Sequence, residues 1–212
     1  MSKIKNVLAI GAHPDDIEIM CGGTLLKWLS TGINVHTFLF THGGWNSPEG
    51  LIIRSKQEAI NENKKVIEYM NYTTAEHLDY DTLSLNYSDV LVSEILIKIK
   101  KYNIDTIIFP WIKDTNHDHE VVSRVVSAAS RRVPNLLMGQ INYYMNDHFT
   151  PNVYIDISDE WNKKIDSLKL FSSQWARSGK DWAEFLDITS RYYGKIIGVK
   201  RAEGFITTKI KI

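Results

Sequence analysis

Apolar positions follow two rhythms along the chain. Short continuous runs at residues 4–11 and 33–40 read as buried strands, and 105–111 reads as a third, broken by Pro110. A shorter strand fits His77 to Tyr80. Between them, apolar residues recur at helical spacing. These segments are 19–31, which stops near Gly32, then 52–70 with Ile52, Ala59, Val66 and Met70, 88–101, and 120–131 with a valine face. The order strand, helix, strand, helix predicts a mostly parallel, Rossmann-like α/β sheet with helices on both faces.

The rhythm changes after residue 131. Strand patterns at 140–145 and 153–157 follow one another without a helix. Two amphipathic helices come next, one through Trp161, Ile165, Leu168 and Phe171, the other through Trp182, Phe185, Leu186 and Thr189. The expectation is one domain over 1–212, with a Rossmann-like core at 1–131 and a smaller C-terminal α+β extension at 132–212 packing on it. The aromatic stripes are read as core-facing surface.

Composition narrows the functions. Of 212 residues, 43% are hydrophobic and 24% charged, which suits a soluble globular chain. Lys+Arg and Asp+Glu are 25 each, so no charge excess calls for nucleic acid or a membrane surface. The basic runs Arg131-Arg132 and Lys98–Lys101 read as solvated helix ends. No apolar run approaches the ~18 residues of a membrane span. The run Val7–Ile10 is too short for a signal-peptide core, and the expected setting is the cytoplasm. Cys21, the one cysteine, excludes an internal disulfide and reads as a small buried hydrophobe.

Chemistry concentrates where strands end. Gly11-Ala12-His13-Pro14-Asp15-Asp16 follows the first strand, the rim where open parallel sheets bind ligands. Adjacent carboxylates repel one another unless a cation neutralises them, and His with Asp suits zinc. The plain alternative is a turn in which Asp15 or Asp16 caps the next helix. A second cluster, Asp114-Thr115-Asn116-His117-Asp118-His119, follows the strand ending near Trp111, with a cap at Asp118 as its plain alternative. Together the two turns can supply His, Asp and His to one ion and leave a position open, as catalytic zinc sites do.

These residues carry a resemblance. Ala12-His13-Pro14-Asp15-Asp16, with Cys21-Gly22-Gly23-Thr24 behind it, resembles the signature of the PIG-L/LmbE-like family of zinc-dependent N-deacetylases. Asp114 to His119 resembles that family's His-x-Asp-His motif. Arg54, Glu58 and Ala59 match its Arg-x-x-x-Glu-Ala helix. Further similar stretches are Pro151-Asn152, Asp156-Ile157-Ser158, Lys164 through Ser173-Gln174, and Ala202-Glu203-Gly204-Phe205. The resemblance implies His13, Asp16 and His119 as metal ligands and Asp15 as general base. It implies removal of an acetyl group from a GlcNAc-type amino sugar, free, nucleotide-linked or on a larger carrier. Zinc is the expected metal, although iron, cobalt and manganese tolerate the same ligand types.

Two positions depart from the family pattern. Ile17 stands where many members have Glu, with Glu18 following. Asn116 takes the place of the motif's first His, with His117 at its variable position. Asn116 can donate a hydrogen bond but brings no charge. His117 is therefore a substitute donor, or the alternative to His119 as ligand. Asp118 is expected to hold the second nitrogen of a ligand imidazole. Arg54 can bind a hydroxyl or phosphate of the substrate, or else pair with Glu58 on the surface. Trp111, Asp114 and His117 are further expected substrate contacts, with Trp111 stacking on the sugar. Trp45, Trp175, His42 and His148 are weaker candidates, and the aromatic C-terminal half offers surface for a homo-oligomer.

Two other functions compete. A dinucleotide-binding oxidoreductase lacks its Gly-x-Gly-x-x-Gly here, and Asp15 and Asp16 would repel a pyrophosphate. A noncatalytic carbohydrate-binding protein of the same fold has only Asn116 in its favour.

Overall fold

The computed structural model describes residues 4–144 and 149–211. Strand β1 (Asn6–Gly11) lies between β2 (Asn34–Thr41) and β6 (Thr106–Pro110), all parallel. The full sheet has seven strands in the order β5-β2-β1-β6-β7-β9-β8, where β5 is Thr74–Tyr80, β7 Asn135–Gly139, β8 Val153–Asp156 and β9 Ala202–Lys209. The last two strands run antiparallel to their neighbours. From β1 the chain first winds outward through β2 and β5, then returns to β6 on the other side. The C-terminal ends of β1 and β6 thus form the switch point where such sheets open a crevice.

Strand alternation divides the core into two layers. Val7 and Ala9 of β1 face the layer under helices α1 (Asp16–Ser30), α2 (Lys56–Met70), α5 (Trp161–Lys169) and α6 (Ser172–Ile197). Leu8 and Ile10 face the layer under α3 (Asp89–Lys101) and α4 (His117–Ala129). Among the described residues, no helix is long and apolar enough to cross a membrane.

Several boundaries move from their expected places. Residues 52–54 form β4, which pairs antiparallel with β3 (Trp45–Asn46), and the helix begins only at Lys56, capped by the Ser55 hydroxyl. The strand expected at 140–145 lies at 135–139 instead; residue 145 is outside the described residues. Strand β9 pairs with both β7 and β8 and had no counterpart in the sequence reading. Helix α4 starts at His117, three residues earlier than expected, and its cap is Asn116 instead of Asp118.

Helix α1 breaks at Cys21 (φ −147°, ψ 15°). A buried ion pair splices the break. Lys164 Nζ donates to the Ile19 carbonyl at 2.8 Å and to Glu203 at 2.6 Å. The Glu203 carboxylate accepts from the Gly23 and Thr24 amides at 2.9 and 2.8 Å. The carbonyl ending the first half and the amides opening the second are satisfied together. Gly23 permits this packing, since a Cβ there would stand 2.9 Å from Ile157.

Candidate active site

The turn after β1 is held by its own aspartate. Asp16 Oδ2 accepts from the Ala12 and His13 amides, both at 2.8 Å. Asp15 sits at φ 116°, a left-handed conformation that an L side chain adopts only under constraint. The turn after β6 is shaped by Asn116, whose Oδ1 accepts from the Asp118 amide at 2.9 Å and the His119 amide at 3.4 Å. This cap starts α4 so that Asp118 and His119 lie in its first turn.

Adjacent parallel strands bring the two turns face to face. One donor atom from each of His13, Asp16 and His119 lies within 4.8 Å of the others. His119 Nε2 stands 3.1 Å from Asp16 Oδ1 and 3.3 Å from His13 Nδ1. The outer ring nitrogens face carboxylates: His13 Nε2 is 2.9 Å from Asp118, and His119 Nδ1 is 3.2 Å from Asp114. Asp118 is itself fixed by the Leu83 and Leu85 amides. Two imidazole nitrogens and a carboxylate oxygen, turned toward one point and backed by carboxylates, are a donor set that fits a divalent cation.

Electrostatics reflects this crowding. Burial opposes charge on His13, but the Asp16 charge and hydrogen bonds to Asp118 and Asp16 outweigh it and lift the imidazole to about 9. Burial likewise opposes His119, and Asp16 with Asp114 lifts it to about 10. Asp16 is raised by burial, yet the two imidazoles outweigh that and hold it well below the carboxylate range. Asp15 moves the other way. Burial and the Asp16 charge push it to about 7, against the pull of Arg54 and His13.

These residues form the floor of a cleft of about 350 Å³. His13, Asp15, Asp16, Asn116, His119 and Arg54 all line it. Arg54 is 2% exposed and donates to Glu62 at 2.8 Å, so the surface pair expected with Glu58 does not form. Its Nη1 lies 4.0 Å from Asp15 Oδ2, and neither Nη1 nor Nε has a hydrogen-bond partner. Gly43, at φ 78°, lets the chain pass Pro14 closely; a Cβ there would meet the ring at 2.5 Å.

Three expected substrate contacts lie elsewhere. Trp111 continues the alternation of Ile107 and Phe109 into the core, is 5% exposed and packs edge-on against Phe149. Asp114 stands behind His119 and accepts from the Asn116 amide. His117 turns its Nε2 to the Leu85 carbonyl at 2.8 Å, away from the three converging donors. For His117 the cause is the first turn of α4, which points His119 inward and therefore His117 elsewhere. Asp118 stands behind His13, against the outer ring nitrogen, where the sequence places it. Trp175 packs with the core, His42 bonds Asp81, and His148 lies outside the described residues. The cleft's outer wall is made by Trp45 of β3, one of the weaker candidates, and by Gln174, Arg177, Ser178 and Trp182 of α6, which were not singled out as site residues. The i, i+3, i+4, i+8 spacing of the α6 residues was readable, but which face met the cleft was not.

Known proteins share both chain and fold. The diacetylchitobiose deacetylase of Thermococcus kodakarensis is 26% identical over 219 residues, covering 95% of this chain and 82% of its own. The solved structure of the N,N'-diacetylchitobiose deacetylase of Pyrococcus horikoshii, bound to an inhibitor, superposes with a TM-score of 0.78 at 23% identity, over 97% of this chain and 84% of that one. GalB, a 4-carboxy-2-hydroxymuconate hydratase from Pseudomonas putida, superposes with a TM-score of 0.79 at 13% identity, over 98% of each chain, so the fold alone does not specify the reaction. The family model described as "GlcNAc-PI de-N-acetylase" matches residues 8–130, the stretch that holds both turns of the cleft floor, and the chain belongs to this PIG-L family.

Proposed function

We propose that the protein is a metal-dependent hydrolase that removes the N-acyl group, acetyl in the first instance, from a GlcNAc-type amino sugar. The observation that carries this reading is the convergence of His13, Asp16 and His119 within 4.8 Å at the base of an open cleft, with Asp15 beside them. The relatives named as deacetylases supply the reaction class.

His13 through Nδ1, His119 through Nε2 and the Asp16 carboxylate would hold the cation, zinc in this reading. A divalent cation there supplies a Lewis acid and lowers the pKa of water bound to it. Asp118 and Asp114 fix the two imidazoles from behind. The Asp15 carboxylate, held near neutrality by burial and by Asp16, accepts the proton of the attacking water and returns it to the departing amine nitrogen. Arg54 offers its two unpartnered donors to oxygens of the substrate. The Asn116 side chain, whose oxygen is committed to the α4 cap, offers its amide hydrogens.

The test is release of primary amine from N-acetylated amino sugars by zinc-loaded protein, with bound metal measured in parallel. Asp15→Asn should lower turnover by about 10²- to 10⁴-fold while metal content stays at the wild-type level. Loss of metal and turnover together would make Asp15 a ligand and overturn its assignment as base.

A further inference from the structure

The outer wall of the cleft has no part in the amide chemistry, yet it is built with care. The Arg177 guanidinium lies 5.1 Å over the centroid of the Trp45 ring. It also donates to the Gln174 side-chain oxygen. Its position is thus set by a ring on its face and an amide at its edge. Among the described residues no carboxylate pairs with it, although it lines the cleft.

A second guanidinium belongs to the same wall. The β3–β4 ladder places Arg54 opposite Trp45, so Trp45 neighbours both arginines. Arg54 is buried and keeps Nε and Nη1 without hydrogen-bond partners. The carboxylates that line the cleft, Asp15 and Asp16, belong to the floor. Arg54 is paired with Glu62, so the cleft is acidic where the amide must sit and Arg177 is the cation of the wall above that lacks a carboxylate partner among the described residues. Arg177 covers one face of the Trp45 ring. Arg177 is exposed, but the Trp45 ring and the Gln174 oxygen orient its planar donor fork over the cleft, and an oriented fork without a carboxylate partner favours an anion.

We propose that the substrate is an anionic amino-sugar derivative, a reading that rests on the deacetylase assignment above. Its N-acyl group descends to Asp15, while a phosphate or carboxylate elsewhere on the sugar is held by Arg177, with the free donors of Arg54 deeper on the same wall. Arg177 is then a residue that sets specificity.

The experiment compares kcat/KM of the zinc-loaded protein on four probes. Two are neutral, N-acetylglucosamine and N,N'-diacetylchitobiose. Two are anionic, N-acetylglucosamine bearing a phosphate on its terminal hydroxymethyl carbon, and N-acetylmuramic acid. At least one anionic probe should exceed both neutral ones by about tenfold or more, chiefly through KM. The better anionic probe tells phosphate from carboxylate. Arg177→Ala should bring the anionic-to-neutral ratio close to one, whereas Lys180→Ala, at an exposed position of the same helix, should leave it in place. Equal use of neutral and anionic probes, or an equal loss on all four in Arg177→Ala, overturns the inference and leaves the deacetylase reading standing. Amine release from none of the four counts against the deacetylase reading instead. Calorimetry of the phosphorylated probe on zinc-loaded Asp15→Asn then reads the anion site without turnover. Binding there that is indifferent to Arg177→Ala overturns the inference on its own.

Discussion

At the scale of one residue, the cap that Asn116 forms and the donor role proposed for it can be separated. Its oxygen caps α4 and so aims His119; its amide nitrogen is free for the cleft it lines. Asn116→Ala should cost about 1 kcal/mol of stability as the cap is lost. Asn116→Asp keeps an acceptor for the cap and removes the donor. Its unfolding midpoint in urea should therefore stay near wild type while turnover falls; a matching loss of stability would show that the side chain serves only as a cap. The three converging residues were legible because short motifs fix them locally: Asp16 folds its own turn, and His119 sits three residues past its cap. Trp111 and Asp114 were misread because nothing local tells which way a side chain faces once a strand ends. The surface pair weighed for Arg54 fails for a related reason. Its partner Glu62 is one helical turn beyond the expected Glu58, and the strand β4 that aims Arg54 inward was read as helix.

At the scale of elements, the broken helix α1 shows how the C-terminal extension acts on the first turn. Lys164 comes from α5 and Glu203 from β9, yet both bond the backbone at the α1 break. The short first half of α1 carries Asp16 at its start, so the pair helps set the direction from which that carboxylate enters the cleft floor. Both side chains are almost wholly buried, at 2% and 5% exposed. Lys164→Met or Glu203→Gln should each destabilise the protein by about 3–5 kcal/mol, because each leaves a buried group without its partner. Lys164→Met with Glu203→Gln should cost clearly less than the sum, read from denaturant curves as a double-mutant cycle. Simple additivity would mean that the two do not act as a pair. The alternation of strands and helices up to α4 was legible because each element carries its own period. The break was not, because it depends on partners more than a hundred residues away in sequence, and strand β9 was not, because it is completed by the distant strands β7 and β8.

At the scale of the molecule, the cleft floor joins the turns after β1 and β6, so whatever binds there ties both layers of the core to one point. In the metal-free protein His13 and His119 hold their protons to about 9 and about 10. These raised values stabilise the metal-free fold fully below the unfolded histidine pKa of about 6.5, and the contribution fades as pH rises through the folded values. Cation binding requires neutral imidazoles, so it releases protons and tightens as pH rises. Both effects act in the same direction. Zinc at about a hundred times its Kd should stabilise the fold by about 2.7 kcal/mol, a rise in Tm of roughly 5–11 °C for a chain of this size. At one fixed total zinc concentration the rise should be distinctly larger at pH 8 than at pH 6, and it should vanish in His13→Ala. Scanning calorimetry with and without zinc at the two pH values measures it. An equal rise at both would mean that the cation displaces no proton from these imidazoles, and the pairing of His13 and His119 with Asp16 would then not be what the cation replaces.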